Sequence, residues 1–137
     1  MEDVWKQFEE NNITHSQAHH LTAVLELKDE HGYARVTDVA KHLNITTGSA
    51  STNLKVLKKK DLISEDDNRF LSLSTEGERI AKAVIQRKFL LNKFLKDVLN
   101  VSEAQAEIDA CKTEHLISAE TTSKLKSFLE SNGITID

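Results

Sequence analysis

The stretch ACKTEH, residues 110–115, brings together three types of side chain that bind metal ions in proteins. Cys111, Glu114 and His115 stand at positions i, i+3 and i+4, which share one face when the backbone is helical. A cysteine, a carboxylate and an imidazole make a mixed donor set for a divalent transition metal. Each also has an ordinary interpretation, since a lone cysteine often packs as a small hydrophobe. The spacing therefore supports a metal site as a hypothesis that needs further ligands.

The segments before this stretch predict a group of three helices. A helix over residues 16–30 is expected to end before Gly32, which suits a left-handed C-terminal cap. The run VTDVAKHLN predicts a second helix with Thr37 as its N-cap. The run ITTGSASTNLKVLKKKD predicts a third helix, whose inner face carries Ala50, Leu54 and Leu57. A short amphipathic helix is also expected within residues 1–12.

Two short β-like runs follow, LIS and RFLSLS, with the turn-rich segment EDDN between them. Capping boxes at Thr75/Glu78 and Ser102/Gln105 predict a long helix to about residue 99 and a second helix containing ACKTEH. A last helix is expected over residues 119–129. This order predicts a mainly α fold, with an N-terminal winged helix-turn-helix and its two-stranded wing (residues 1–76), followed by an all-helical dimerisation domain (residues 77–137).

Charge is distributed unevenly along the 137 residues, although the net charge is only −4. Residues 1–31 have a net charge of −5, residues 32–100 of +5 and residues 101–137 of −4. The basic middle segment is the one that would meet phosphates. Aromatic residues make up only 5%, which argues against a stacking surface for single-stranded nucleic acid.

Small polar residues occupy the start of the predicted third helix, where a helix-turn-helix meets base edges. Lysines follow them, and they would neutralise DNA phosphates. No arginine is available there for a bidentate guanine contact, so thymine-methyl and water-mediated contacts are expected. The acidic residues at the tip of the hairpin would be repelled by phosphate, which leaves one wing cation. The predicted DNA-binding residues are Arg35, Thr46, Thr47, Ser49, Ser51, Thr52, Asn53, Lys55, Lys58, Lys59 and Arg69.

Four runs together resemble the diphtheria toxin repressor and manganese transport regulator family: GYARVTDVAKHLNIT, LKVLKKKDLI, LSTEGERIAKAVI and ACKTEHLIS. The resemblance covers roughly residues 16–130, and ACKTEHLIS is its specific part. It implies a homodimeric winged-helix repressor whose operator binding depends on Fe(II) or Mn(II). Because no third, SH3-like domain is expected, the chain resembles the shorter, manganese-type members.

The resemblance also implies a ligand set. Cys111, Glu114 and His115 match the family's ligand helix, and the ligand of the first helix falls on His19, with His15 and His20 as neighbouring candidates. Cys111 would contribute either its sulfur or its backbone carbonyl. The family's second metal position departs from the pattern, since its matching residues are Lys88, Asn92, Glu107 and Thr22. We hypothesise that the Lys88 ammonium substitutes for the second cation and pairs with Glu107 or Glu114.

The expected function is a metal-dependent repressor of metal homeostasis genes, in the reducing cytoplasm, on double-stranded operator DNA. Fe(II) or Mn(II) is the expected cofactor, while a cysteine thiolate with two imidazoles would favour Fe(II), Co(II) or Zn(II). Neither a membrane nor a small organic ligand is expected as a partner, and the acidic N-terminus does not resemble a signal peptide. Three alternatives remain open: a metal-independent regulator like the multiple-antibiotic-resistance repressors, a regulator in which Cys111 senses oxidants, and a protein-interaction module. No nucleophile–base pair or carboxylate dyad indicates an enzyme.

Overall fold

The computed structural model describes residues 13–114 and 116–136, so the helix expected within residues 1–12 lies outside the described residues. The described part divides into two compact units. We call residues 13–83 the winged-helix unit and the described residues from 84 onward the C-terminal unit. Because this division falls inside a helix, the domain boundary at 76/77 stays a prediction from sequence.

The winged-helix unit contains three helices and a two-stranded antiparallel sheet, followed by a fourth helix that continues into the C-terminal unit. The elements are α1 (His15–His31), α2 (Val36–Leu43), α3 (Thr47–Lys59), β1 (Ile63–Glu65), β2 (Leu71–Leu73) and α4 (Thr75–Lys93). The expected winged helix-turn-helix is confirmed, and α2 and α3 are its helix pair.

Hydrophobic spacing explains how these elements pack. Ala50, Leu54 and Leu57 are buried, as the pattern of α3 predicts, and they share one core cluster with Leu21 and Val24 of α1. Burial of such side chains is the main contribution to the stability of a domain of this size. The orientation of α3 is therefore fixed by its apolar face, and its small polar residues face outward.

Capping residues mark where the helices begin and end. Gly32 adopts a left-handed conformation with φ 81°, as predicted, and its N–H donates to the carbonyl of Lys28 at the end of α1. The N-cap expected at Thr37 is wrong. The N-cap is Arg35 and the helix begins at Val36, two residues earlier than expected, because Asp38 Oδ2 accepts the backbone N–H of Arg35.

The wing also differs in detail from the sequence expectation. Strand β1 starts one residue later than LIS, and β2 covers only the middle of RFLSLS. Asp66 Oδ1 accepts the backbone N–H groups of Asn68 and Phe70, while Arg69 takes a left-handed φ of 67°. These features hold residues 66–70 in a turn, so β2 cannot begin before Leu71.

A close backbone approach joins the wing to α4. A Cβ atom on Gly77 would lie 2.1 Å from the carbonyl oxygen of Leu62, so only glycine fits there. The capping box expected at Thr75 and Glu78 is off by one residue. Ser74 caps the helix instead, since its Oγ accepts the N–H of Gly77.

The C-terminal unit is all-helical in its described residues. Helix α4 continues as a π-helical segment (Phe94–Val98), followed by α5 (Glu103–Thr113) and α6 (Ala119–Ser131). Ser102 caps α5 as predicted, because its Oγ accepts the N–H of Gln105. None of the helices in the described part of the chain is both long and apolar enough to cross a membrane.

Candidate functional site

A groove of about 470 Å³ lies in the winged-helix unit, between the outer face of α3 and the wing. We call it the wing groove. Thr47, Ser51, Lys55 and Lys58 contribute to it at spacings of three and four residues, because one face of a helix repeats at that interval. Six of the predicted DNA-binding residues line the groove: Arg35, Thr47, Ser51, Lys55, Lys58 and Arg69.

The cations of the wing groove differ in what they contact. Lys58 Nζ forms an ion pair of 2.6 Å with Glu65 Oε2 on the wing. The guanidinium of Arg35, a lining residue of the groove, lies over the ring of Phe70, 4.4 Å from its centroid. Lys55 is exposed on α3. The groove is therefore a cationic surface that contains one acidic residue.

The other predicted DNA-binding residues lie elsewhere on α3. Thr46 is its N-cap and accepts the N–H of Ser49, while Thr52 donates to the carbonyl of Gly48. Asn53 donates to the carbonyl of Ser49 and accepts the hydroxyl of Ser16 from α1. Their hydrogen-bonding capacity is thus partly used inside the protein. The remaining two, Ser49 and Lys59, are exposed.

Sequence reasoning missed several residues that line the groove, namely Val36, Thr37, Leu54 and Glu65. The sequence predicts Thr37 as a helix cap and Leu54 as a core residue, and neither role indicates a groove. Glu65 was recognised as an acidic wing residue, but its ion pair with Lys58 depends on how the hairpin folds back. The sequence signal for that pair is only the opposite charge of the two residues, which is weak by itself.

Two histidines of α1 come together in the winged-helix unit. The Nε2 atoms of His15 and His19 lie 3.0 Å apart, and their rings meet edge to face. His20 differs from them, because it is buried and its Nδ1 lies 2.6 Å from the carbonyl of Ser16. Of the three candidates on the first described helix, His15 and His19 therefore form the accessible pair.

In the C-terminal unit, Cys111 and Glu114 lie at the end of α5. Glu114 is 2% exposed, and its Oε2 has no hydrogen-bond partner among the described residues. Burial raises the pKa of Glu114 to about 7, although the positive charge of Lys88 opposes this shift. A buried acceptor without a donor is costly, so this oxygen is suited to receive a cation.

Cys111 belongs to the same electrostatic environment. The pKa of its thiol is raised, chiefly by burial and next by the negative charge of Glu114. The positive charge of Lys88 lowers this pKa, and the more weakly acting Glu107 raises it. The thiol therefore stays protonated at neutral pH until a metal or base removes the proton.

Two predicted second-position residues therefore act on the end of α5, namely Lys88 and Glu107. The third, Asn92, carries a buried Oδ1 that lacks a hydrogen-bond partner among the described residues. Thr22 instead donates to the carbonyl of His19 on its own helix.

The four-ligand set expected from sequence is placed only in part. His19 belongs to the winged-helix unit, while Cys111 and Glu114 belong to the C-terminal unit. His115 lies outside the described residues. The set as a whole stays a prediction.

A family model matches most of the second half of the chain. Residues 74–132 match the family model described as "Iron dependent repressor, metal binding and dimerisation domain". This segment contains Lys88, Asn92, Glu107, Cys111 and Glu114. For residues 74–132, the resemblance to the diphtheria toxin repressor and manganese transport regulator family is thereby confirmed.

Three solved structures share the fold. The manganese regulator SloR matches with a TM-score of 0.75 and 22% identity, over 83% of this chain and 53% of SloR. ScaR with bound Zn2+ matches with a TM-score of 0.69 and 18% identity, over 83% of this chain and 53% of ScaR. A hypothetical protein from Sulfolobus solfataricus matches with a TM-score of 0.70 and 18% identity, over 91% of this chain and 99% of that protein.

One match bears on an expectation from the sequence. SloR is described as a manganese regulator, which agrees with the expectation that this chain is not an enzyme. The chain spans about half the length of SloR and ScaR, so the likeness to them concerns the part that is shared.

Proposed function

We propose that this chain, whose residues 74–132 form a metal binding and dimerisation domain of the iron dependent repressor family, is a metal-dependent DNA-binding transcriptional repressor. It would act as a homodimer in the cytoplasm and regulate metal homeostasis genes. The observation that carries the proposal is the wing groove, which gathers small polar residues of α3 and the cations Arg35, Lys55, Lys58 and Arg69 on one surface.

The groove suits double-stranded DNA. The N-terminal residues of α3, among them Thr47 and Ser51, would approach base edges in the major groove. Arg35, Lys55 and Arg69 would neutralise phosphates, and the release of counterions makes such binding dependent on salt. Since no arginine stands on the first turns of α3, selectivity would come from thymine-methyl and water-mediated contacts.

Metal dependence is supported by the buried carboxylate of Glu114. We propose that Glu114, Cys111, His19 and His115 hold one divalent metal. The Oε2 of Glu114, which lacks a hydrogen-bond partner among the described residues, fits this role, since a bound cation supplies the positive charge that offsets its burial. Because the proposed ligands belong to both units, metal binding would favour one arrangement of the units over others, as a switch requires.

The ammonium of Lys88 would take the place of the second metal ion that the family pattern leads us to expect. Its charge already lowers the pKa of both Glu114 and Cys111, which supports the role of an internal counter-ion. The proposed site would then bind one metal per chain.

The identity of the metal is a finer proposal. Fe(II) or Mn(II) is proposed, in line with SloR, which is described as a manganese regulator. Zn(II) or Co(II) is the alternative if the Cys111 sulfur is a ligand, and ScaR was determined with Zn2+ bound. An oxidant-sensing role for Cys111 is less well supported, because burial raises the pKa of its thiol and a reactive cysteine needs a thiolate.

The test is a binding selection, because the operator sequence is unknown. Random duplex DNA would be selected with the full chain in Mn(II), in anaerobic Fe(II), in Zn(II) and in chelator, and the enriched duplex would then be titrated. We expect metal to tighten binding by about 5- to 150-fold, the usual range for coupled sites, with affinity falling steeply as salt rises. Equal affinity in chelator would overturn metal dependence, and failure to enrich any duplex would favour the interaction module.

A further inference from the structure

His15 and His19 stand one turn apart on α1, and their imidazoles point at a common place. The Nε2 atoms lie 3.0 Å apart, the ring centroids lie 4.4 Å apart, and the rings are inclined by 75°. Two histidines at i and i+4 on one helix face recur as a metal-binding pair in proteins. Both side chains are partly exposed, so an ion from solvent can reach them.

The spacing of the two nitrogens matches chelation. With metal–nitrogen bonds of about 2.1 Å, adjacent octahedral positions hold two nitrogens about 3.0 Å apart, and tetrahedral positions hold them about 3.4 Å apart. The observed separation equals the first value, and small rotations of the rings would reach the second. In the metal-free protein this contact is a hydrogen bond, in which one ring nitrogen donates to the other. A bound ion would take the place of the shared proton, with the two nitrogens already at the spacing that chelation requires.

Neither histidine is needed to cap the helix. Thr14 Oγ1 accepts the N–H of Gln17, and the side chain of Gln17 accepts the N–H of Thr14, which completes the cap. The helix dipole disfavours a cation near this end only weakly, and the two metal–imidazole bonds outweigh that effect.

We propose that His15 and His19 together form a bis-imidazole site for a borderline divalent metal of the Zn(II) or Ni(II) class. Any role of this site in regulation rests on the proposed metal-dependent function. The ability of the two histidines to bind a metal does not depend on that function. Imidazole suits Zn(II), Ni(II) and Fe(II), while Mn(II) prefers oxygen ligands. Of the two metals proposed above for the chain, the added nitrogen of His15 would therefore favour Fe(II) over Mn(II).

The experiment uses the full chain and no DNA. Zn(II), Ni(II) and Mn(II) would each be titrated by competition with a chelating dye, into the wild type and into His15→Gln. His31→Gln is the matched control, because His31 lies on the same helix, is well exposed and lies 3.7 Å from the carboxylate of its neighbour Glu30. The imidazole resonances of the 15N-labelled wild type would be followed as Zn(II) is added.

We expect His15→Gln to weaken Zn(II) and Ni(II) binding at least tenfold and Mn(II) binding by less than threefold, with His31→Gln unchanged. His15→Cys should restore tight Zn(II) binding, since thiolate is also a good zinc ligand. In the wild type, Zn(II) should shift the Nε2 resonances of His15 and His19 together. This last readout holds even if a variant folds poorly.

The site is overturned if His15→Gln binds Zn(II) and Ni(II) as the wild type does, or if the His15 resonance does not respond to Zn(II). Failure of the proposed function is a separate result. DNA binding that is indifferent to metal, together with Zn(II) bound through His15, removes the regulatory role and leaves the site. Metal-dependent DNA binding that His15→Gln does not alter, with unchanged metal affinity, removes the site alone.

Discussion

The ammonium of Lys58 lies 2.6 Å from the carboxylate of Glu65, so an ion pair joins α3 to the wing across the groove. Both side chains are partly exposed to solvent, and an exposed pair of this kind contributes about 0.2–1 kcal/mol to stability. Its larger effect is on charge. In the free protein Glu65 neutralises Lys58, so DNA phosphates must compete with an internal carboxylate for this lysine.

Removing that competitor should tighten DNA binding. In Glu65→Gln we expect an affinity for duplex DNA about three- to tenfold higher, with a salt dependence steeper by about one counterion, because Lys58 becomes available to phosphate. Fluorescence anisotropy at several salt concentrations measures both quantities. Glu30→Gln removes an equal charge outside the groove and should change little. Equal gains in both variants would mean that net charge, and not the ion pair, sets the affinity.

Arg69 offers a test that separates charge from backbone conformation. It holds a left-handed φ of 67°, a conformation that costs a non-glycine residue about 1 kcal/mol. In Arg69→Gly we therefore expect the free energy of unfolding to stay within about 1 kcal/mol of the wild type, while DNA affinity falls and the salt slope drops by about one. Urea denaturation and salt-dependent anisotropy provide the two measurements. Arg69→Lys keeps the charge and should retain most of the affinity. An unchanged salt slope in the glycine variant would exclude a phosphate contact at this position.

The helical framework was largely predictable from sequence because it depends on local rules. Leu54 and Leu57 repeat at the helical period, and burial of that face orients α3. Gly32 takes the left-handed cap that glycine favours. Cap positions were less predictable, since Asp38 and Ser74 supply the cap hydrogen bonds in place of Thr37 and Thr75.

Features that depend on side-chain conformation or on hairpin geometry could not be read from the sequence. The pair of Lys58 and Glu65 requires the wing to fold back over α3, and the approach of His15 to His19 requires particular side-chain conformations. The ligand set that includes His115 came from a resemblance, and it remains a prediction. The structure adds the burial of Glu114. From the sequence pattern of an amphipathic helix, a carboxylate is expected on the exposed face.

Loss of the Lys88 charge should affect both Cys111 and the response to metal. Lys88 lowers the pKa of the Cys111 thiol, so in Lys88→Met the thiol should react more slowly with a disulfide reagent at neutral pH. We also expect metal-activated DNA binding to weaken at least about fivefold, the lower end of typical coupling between sites. Stopped-flow thiol kinetics and anisotropy measure the two effects. Lys112→Met, adjacent to Cys111 in sequence, is the matched control, and Lys88→Arg should preserve both properties. A Lys88→Met variant that folds, reacts and binds DNA like the wild type would remove the counter-ion hypothesis.

The buried carboxyl of Glu114 makes the metal-free protein sensitive to pH. Its pKa is raised from 4.5 to about 7, chiefly by burial, so the folded state holds the proton more tightly than the unfolded state does. The resulting contribution to stability is complete below about pH 4.5 and is lost as the pH rises through about 7. At about 1.4 kcal/mol for each pKa unit, its upper limit is about 3 kcal/mol. Urea denaturation in chelator at pH 5, 6, 7 and 8 measures this dependence. In Glu114→Gln the slope should flatten, whereas Glu130→Gln, an exposed change in the same unit, should keep it. A wild-type slope that survives in Glu114→Gln would assign the pH dependence to another group.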